Sequence, residues 1–271
     1  IGLQIVYFIS RRYWASTRVV QYLGIKIIRV MIDKQENNCP VCNGMANLKE
    51  DNFIGYKEDM IFKIYQCGDC LTSFSLPRTN ASKIYDFIYK NGENVPGYDR
   101  YWNYFKQIKK HKNPLSFLAN SEEAYWGIRR ALEGITGSKR GLKILEIGCG
   151  LGYLTYALRS ENYDVIGLDI SEEAIDNAKQ NFGNYFICED LFKYVETNSK
   201  SFDIIILTEV IEHIEQPIEF IETILKLLSS KGKVILTTPN RSLSPLDIVW
   251  DTEAPPVHHW WFGETSMKYI A

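Results

Sequence analysis

At 271 residues the chain can hold one large domain or two modest ones, with enough core to fold without covalent staples. Its formal net charge of -2 excludes a generic nucleic-acid binder held by bulk electrostatics, though not a local basic patch. Six cysteines are few for a secreted disulfide scaffold, and four of them fall into two C-x-x-C pairs, which reads as metal binding in a reducing compartment.

Residues 1–34 are an apolar, arginine-dotted lead segment that starts at Ile1 and not at a methionine. IGLQIVYFIS is apolar for only ten residues before Arg11 and Arg12, too short to span a bilayer unless truncation removed its beginning. VVQYLGIKIIRVMI is interrupted by Lys26 and Arg29. Such stretches are expected to be a helix or strand packed on a core, with peripheral membrane contact as the alternative.

Residues 35–78 hold both cysteine pairs, among Gly and Asn turns and short β-like runs such as MIFKIYQ. Cys39-Pro-Val-Cys42 and Cys67-Gly-Asp-Cys70 are separated by 24 residues. Tetrahedral zinc takes four thiolates, and two tight C-x-x-C turns deliver them in pairs. The pattern predicts a zinc ribbon, with Gly44 and Gly68 suiting its turns. A closed four-thiolate site has no open position, so its zinc would be architectural. Cys149 and Cys188 lie outside the set and read as small core residues.

Residues 79–136 turn helical, with aromatic-rich segments at KIYDFIYK, YDRYWNYFKQIKK and SEEAYWGIRRALEGI. They are expected to form a helical cap or linker. Tyr98, Tyr101, Trp102 and Tyr104 could roof a site, although aromatics at helical spacing are more often core. KQIKKHK reads as a solvated helix face.

From residue 137 to 271 strands and helices alternate. LKILEIG, DVIGLDI, NYFICED, SFDIIILTE and KVILTTPN are apolar strands. LTYALRS, SEEAIDNAKQNF (opened by Ser171 as N-cap) and PIEFIETILKLLSS are helices between them. Strands that are apolar throughout predict a parallel sheet covered on both faces, a doubly wound α/β domain.

LKILEIGCGLGYL places Glu146, Gly148, Gly150 and Gly152 where the first of these strands turns into its helix. Glycines there let the backbone approach a ligand. The spacing is G-x-G-x-G, unlike the dinucleotide fingerprint G-x-G-x-x-G. Asp169 ends the next strand, where a carboxylate can accept both hydroxyls of a ribose. EVIEHIEQP follows the fourth strand, at the carboxyl end of a central strand, where ligands of open α/β sheets bind. If it turns helical, Glu209, Glu212 and His213 could share one face.

With these motifs the chain resembles the class I S-adenosylmethionine-dependent methyltransferases over roughly residues 115–271. The resemblance implies a Rossmann-like sheet with EIGCGLG beside the methionine part of S-adenosyl-L-methionine. It implies Asp169 at the ribose, Asp190 and Leu191 at the adenine, and Thr208 and Glu209 along the methionine side. A cysteine module before the catalytic domain is similar to methyltransferases that tailor sugars, lipids or antibiotics. The class I fold normally closes with two further strands, so this sheet is expected to stop after its fifth, with the C-terminal strands missing.

EVIEH leaves three readings open. His213 could be a general base oriented by Glu212. Glu209, Glu212 and His213 could hold a divalent ion, as a similar segment does in small-RNA 2′-O-methyltransferases; either His258 or His259 of PPVHHWWF could then be a further ligand, His258 the more natural. Or the segment could be structural. The expectation is a cytoplasmic methyltransferase acting on oxygen or carbon of a small-molecule acceptor: a sugar, lipid precursor or quinone-like metabolite. The rivals are a metal-dependent RNA 2′-O-methyltransferase, a non-catalytic cofactor-binding or zinc-mediated module, and a nicotinamide dehydrogenase. No basic, aromatic-interleaved surface for nucleic acid is legible.

Overall fold

The computed structural model describes residues 4–10, 20–21, 38–56, 59–79, 81–95, 97–135, 141–199, 201–243 and 253–271. In chain order, β1 is Gln4–Ser10, β2 Val20–Gln21, β3 Ala46–Ile54, β4 Ile61–Cys67 and β5 Ser73–Leu76. Four helices follow: α1 (Ser82–Asn91), α2 (Asp99–Gln107), α3 (Pro114–Ser121) and α4 (Glu123–Gly134). The α/β unit runs β6 (Lys143–Ile147), α5 (Tyr153–Ser160), β7 (Asp164–Asp169), α6 (Glu172–Phe182), β8 (Phe186–Cys188), α7 (Leu191–Thr197) and β9 (Phe202–Thr208). It continues through α8 (Pro217–Leu225) and β10 (Leu228–Pro239), then β11 (Trp260–Trp261) and α9 (Glu264–Ile270).

The large sheet has the order β2-β1-β10-β9-β6-β7-β8. Strands β10, β9, β6, β7 and β8 are parallel, as their nearly unbroken apolar runs require. The chain leaves the central β6 towards β7 on one side and returns to β9 on the other, which opens a crevice at the carboxyl ends of β6 and β9. Ser171 caps α6 through a hydrogen bond from Ala174 N (3.2 Å).

Two expectations change. The helix after EVIEHIEQP ends at Leu225, and Leu228–Ser230 opens β10 instead of closing the helix. Pairing of Leu228 with Phe202, ahead of an irregularity before Lys233, captures these residues for the sheet. The sheet also continues past β10: β1 pairs with it in parallel register from Gln4↔Lys233 to Ser10↔Pro239. Strand β10 would otherwise present a row of unpaired backbone groups, and IVYFI has the β-branched and aromatic residues to cover them. The rest of VVQYLGIKIIRVMI lies outside the described residues apart from 20–21. Among the described residues no helix is long and apolar enough to cross a membrane.

The two faces of the sheet carry different layers. One packs against α3, α4, α5 and α6, burying Ile108, Leu118, Ile128, Leu154 and Leu158. The other is a core shared with the cysteine module, in which Cys39, Cys67, Cys70 and Phe74 join Leu145, Ile205, Phe220, Ile224, Trp260, Phe262 and Met267. A second, antiparallel sheet has the order β11-β5-β4-β3. Its edge strand β11 comes from the far end of the chain, so the cysteine module and the α/β unit are fused through backbone pairing.

Candidate active site

Gly148 and Gly150 lie in the left-handed region, at φ 72° and 50°, directly after β6. A Cβ at Gly148 would stand 2.5 Å from Val210 Cγ2, so the loop tolerates glycine alone there. Asp169, buried at the end of β7, ties the loop down: its Oδ2 accepts from Gly150 N (2.8 Å) and its Oδ1 from Ser171 N (2.9 Å). Beneath the loop Glu146 is buried and accepts from the Thr155 hydroxyl; burial pushes its carboxyl up to about 8. Asp190 caps α7, accepting from Phe192 N (2.9 Å) and Lys193 N (3.3 Å). The buried Thr208 Oγ1 has no hydrogen-bond partner among the described residues.

These residues surround a cavity of about 550 Å³ in the crevice at the strand ends. Glu146, Gly148, Gly150, Asp169, Asp190, Leu191, Thr208, Glu209, Glu212 and His213 all line it. Gly152 does not. A Cβ there would stand 2.5 Å from Phe186 Cε1 and 2.8 Å from Ala178 Cβ, so this glycine serves close packing of α5 against α6 and β8. The cap supplies the roof: Tyr85, Tyr89, Tyr98, Tyr101 and Trp102 face the cavity, while Tyr104 is buried in the aromatic cluster behind them. Arg100, also at the cavity, is held by Glu122 (2.8 Å) and donates to Tyr101 Oη (2.7 Å).

In EVIEHIEQP the predicted shared face does not form. Glu209 has φ 53°, a conformation costly for a residue with a Cβ, and precedes the single 3₁₀ turn Ile211–His213. Its backbone N–H donates to Thr237 O (3.1 Å), which holds the kink in place. The donor atoms that converge, all within 4.8 Å of one another, belong to Glu212, His213 and His258. His258, the more natural further ligand in the sequence, thus joins Glu212 and His213, and Glu209 falls outside the cluster. Glu212 Oε2 accepts from Thr238 Oγ1 (3.0 Å), and its Oε1 is buried with no hydrogen-bond partner among the described residues. Burial, and then the charge of Glu209, push the Glu212 carboxyl well above the usual range.

His213 Nδ1 lies 2.6 Å from Val257 O and 2.7 Å from Tyr85 Oη. A carbonyl only accepts, so Nδ1 carries the ring proton and Nε2 is the basic nitrogen. Burial pulls His213 down to about 4, which keeps the ring neutral at physiological pH. His259 points elsewhere: its ring is bound by Ser75 Oγ (3.1 Å) and Thr79 O (3.0 Å).

The four cysteines of the C-x-x-C pairs converge separately. Cys39 Sγ lies 3.6 Å from Cys70 Sγ, and Cys42 Sγ 3.4 Å from Cys67 Sγ. Four sulfurs around one tetrahedral zinc would stand about 3.8 Å apart, from a Zn–S bond of about 2.3 Å. Gly44 N donates to Cys42 Sγ, and Asp69 N and Cys70 N to Cys67 Sγ, each at 3.4 Å. The left-handed turn positions are Asn43 (φ 62°) and Leu71 (φ 60°), each directly after the second cysteine of its pair, and not the glycines. Cys149 is a buried core residue as expected, but Cys188 is exposed, because β8 is the sheet edge.

Sequence reasoning missed Tyr85 and Tyr89, whose only local signal was their i, i+4 spacing in KIYDFIYK.

A family model described as methyltransferase domain matches residues 119–271. The ubiquinone biosynthesis O-methyltransferase of Coxiella burnetii (strain Dugway 5J108-111) is 33% identical over 108 residues, which cover 38% of this chain and 46% of that protein. The protein of the same name from Haemophilus ducreyi is 30% identical over 118 residues, covering 40% and 50%. The chain thus spans about half the length of these curated relatives. A crystal structure described as a SAM-dependent methyltransferase from Archaeoglobus fulgidus aligns with TM-score 0.47 at 19% identity, over 63% of this chain and 71% of that one. The chain belongs to the methyltransferase domain family.

Proposed function

We propose that the protein transfers a methyl group from S-adenosylmethionine to a hydroxyl of a small-molecule acceptor, a quinone-like metabolite or similar phenol. The observation that carries this is the convergence of Glu212, His213 and His258 on the same cavity as the glycine loop and Asp169. The relatives named for ubiquinone biosynthesis support an oxygen acceptor.

S-adenosylmethionine, when bound, supplies an electrophilic methyl on a sulfonium. The Gly148–Gly150 backbone lines the part of the cavity assigned to its methionine portion, and the buried Thr208 hydroxyl offers it a polar contact. Asp169 is the ribose anchor, and Asp190 with Leu191 frames the adenine. Methyl transfer is an in-line displacement, so holding the acceptor against the donor supplies much of the acceleration. His213 Nε2 takes the acceptor hydroxyl proton as the new O–CH₃ bond forms and the S–CH₃ bond breaks. Glu212 orients that acceptor from the same side.

A second reading has its own observation. The unpartnered, buried Glu212 Oε1 beside two imidazoles is a donor set that suits a divalent ion. In that case Glu212, His213 and His258 would hold the ion, which would lower the acceptor hydroxyl's affinity for its proton. The four-cysteine module would hold one structural zinc. The lack of disulfides among the six cysteines suits a cytoplasmic enzyme.

The test is label transfer from methyl-labelled S-adenosylmethionine to 3,4-dihydroxybenzoate and to a deproteinised low-mass cell extract. Transfer should be lost in His213→Ala while calorimetric affinity for S-adenosylhomocysteine is retained. A fully active His213→Ala overturns the assignment. Loss of transfer with a chelator, restored by Mg²⁺ or Mn²⁺, selects the metal reading.

A further inference from the structure

The residues that could act on the acceptor are held from the cysteine module. Strand β11 is only two residues long, too short to hold its place unaided. It is pinned by β5, through the pairs Trp260↔Phe74 and Trp261↔Ser73. One residue earlier Ser75 N donates to His259 O (3.0 Å). The His259 ring then closes the contact. Thr79 O can only accept, so His259 Nε2 carries the proton and Nδ1 accepts from the Ser75 hydroxyl.

On its other side the same segment is bonded to the EVIEH turn. His259 N donates to Glu212 O (2.9 Å) and Trp260 Nε1 to Ile214 O (2.7 Å). Ser75 is fully buried and His259 nearly so, which excludes competing water. The tie runs back to the thiol cluster through Ser266 Oγ, which donates to Cys70 O (3.2 Å), and through Thr72, whose hydroxyl lies 3.0 Å from Cys70 Sγ. His258 and Glu212 are therefore neighbours of residues clamped between two sheets.

We propose that Ser75 and His259 form a buried latch through which the cysteine module sets the position of His258 and Glu212, making them positioning residues for the acceptor side of the site. The proposed cofactor side is built from other parts of the chain, the glycine loop after β6, Asp169 at the end of β7 and Asp190 ahead of α7. This inference rests on reading His258 as an acceptor-side group, but its test needs neither turnover nor an acceptor. The chain has four histidines, so each imidazole can be followed by long-range ¹⁵N–¹H correlation.

In Ser75→Ala and His259→Phe the His258 resonances should move, and amide exchange across residues 253–262 should rise about tenfold. Affinity for S-adenosylhomocysteine should stay unchanged. His259→Gln, which keeps a donor towards Thr79 O, should restore part of the protection. Unmoved His258 resonances, or loss of S-adenosylhomocysteine binding in step with the exchange, overturn the proposal. Should the variants fail to fold, the wild-type chain is treated with an organomercurial that blocks the module's thiols. Increased exchange at 253–262 then supports the latch, and an increase confined to 38–76 refutes it.

Discussion

Tyr85 of the first cap helix places its hydroxyl 2.7 Å from His213 Nδ1 and donates to Val257 O (3.2 Å), so three polar atoms from distant parts of the chain meet at one ring. Removing the hydroxyl leaves the Nδ1–Val257 bond in place but frees the ring to rotate. Tyr85→Phe should lower kcat for methyl transfer about tenfold, the worth of one positioning hydrogen bond. Affinity for S-adenosylhomocysteine should be unaffected. Equal kcat in the two enzymes would show that Val257 alone orients the ring.

Asp169 serves two tasks, tying the glycine loop and facing the proposed ribose position. Asp169→Asn keeps its size and removes its charge. Binding of S-adenosylhomocysteine should weaken by about one to two orders of magnitude, the range for losing charge-assisted hydrogen bonds. Calorimetry checks this directly.

Glu146 carries a pH signature. Its folded carboxyl is raised to about 8 from 4.5, so the folded state holds its proton more tightly than the unfolded chain does. The stabilisation is complete below the unfolded value and is lost as pH rises towards about 8. Glu146→Gln, which cannot charge, should flatten the fall of Tm over that window. Parallel Tm–pH curves for the two proteins would contradict it.

The cysteine cluster predicts about one zinc per purified chain, measured by elemental analysis. Cys67→Ser should release it and lower Tm, since Cys39, Cys67 and Cys70 belong to the core shared with the large sheet. Full metal retention in the variant would rule out a four-thiolate site.

What could be read from the sequence was written in short spans. The two C-x-x-C turns, the glycine loop after β6, Asp169 at the end of β7 and the Ser171 cap each depend on neighbours a few residues away. Hydrophobic period and turn chemistry specify such features locally. They were enough to identify a doubly wound sheet and, within the cavity's lining, the glycine loop, Asp169 and Asp190. Gly152 shows the limit: it keeps its place in the motif, but packing against the distant Phe186 gives it a different task.

Tertiary structure alone decided which groups meet. Tyr85 reaches His213 across 128 positions and Ser75 reaches His259 across 184. Glu209 fell outside the converging cluster because a left-handed kink, held by β10, sets it before the 3₁₀ turn. The strand beside β10 came from the lead segment for the same kind of reason. Partners so far apart are chosen by the closing of the sheet and the burial of its second face, and no periodicity along the chain records that choice.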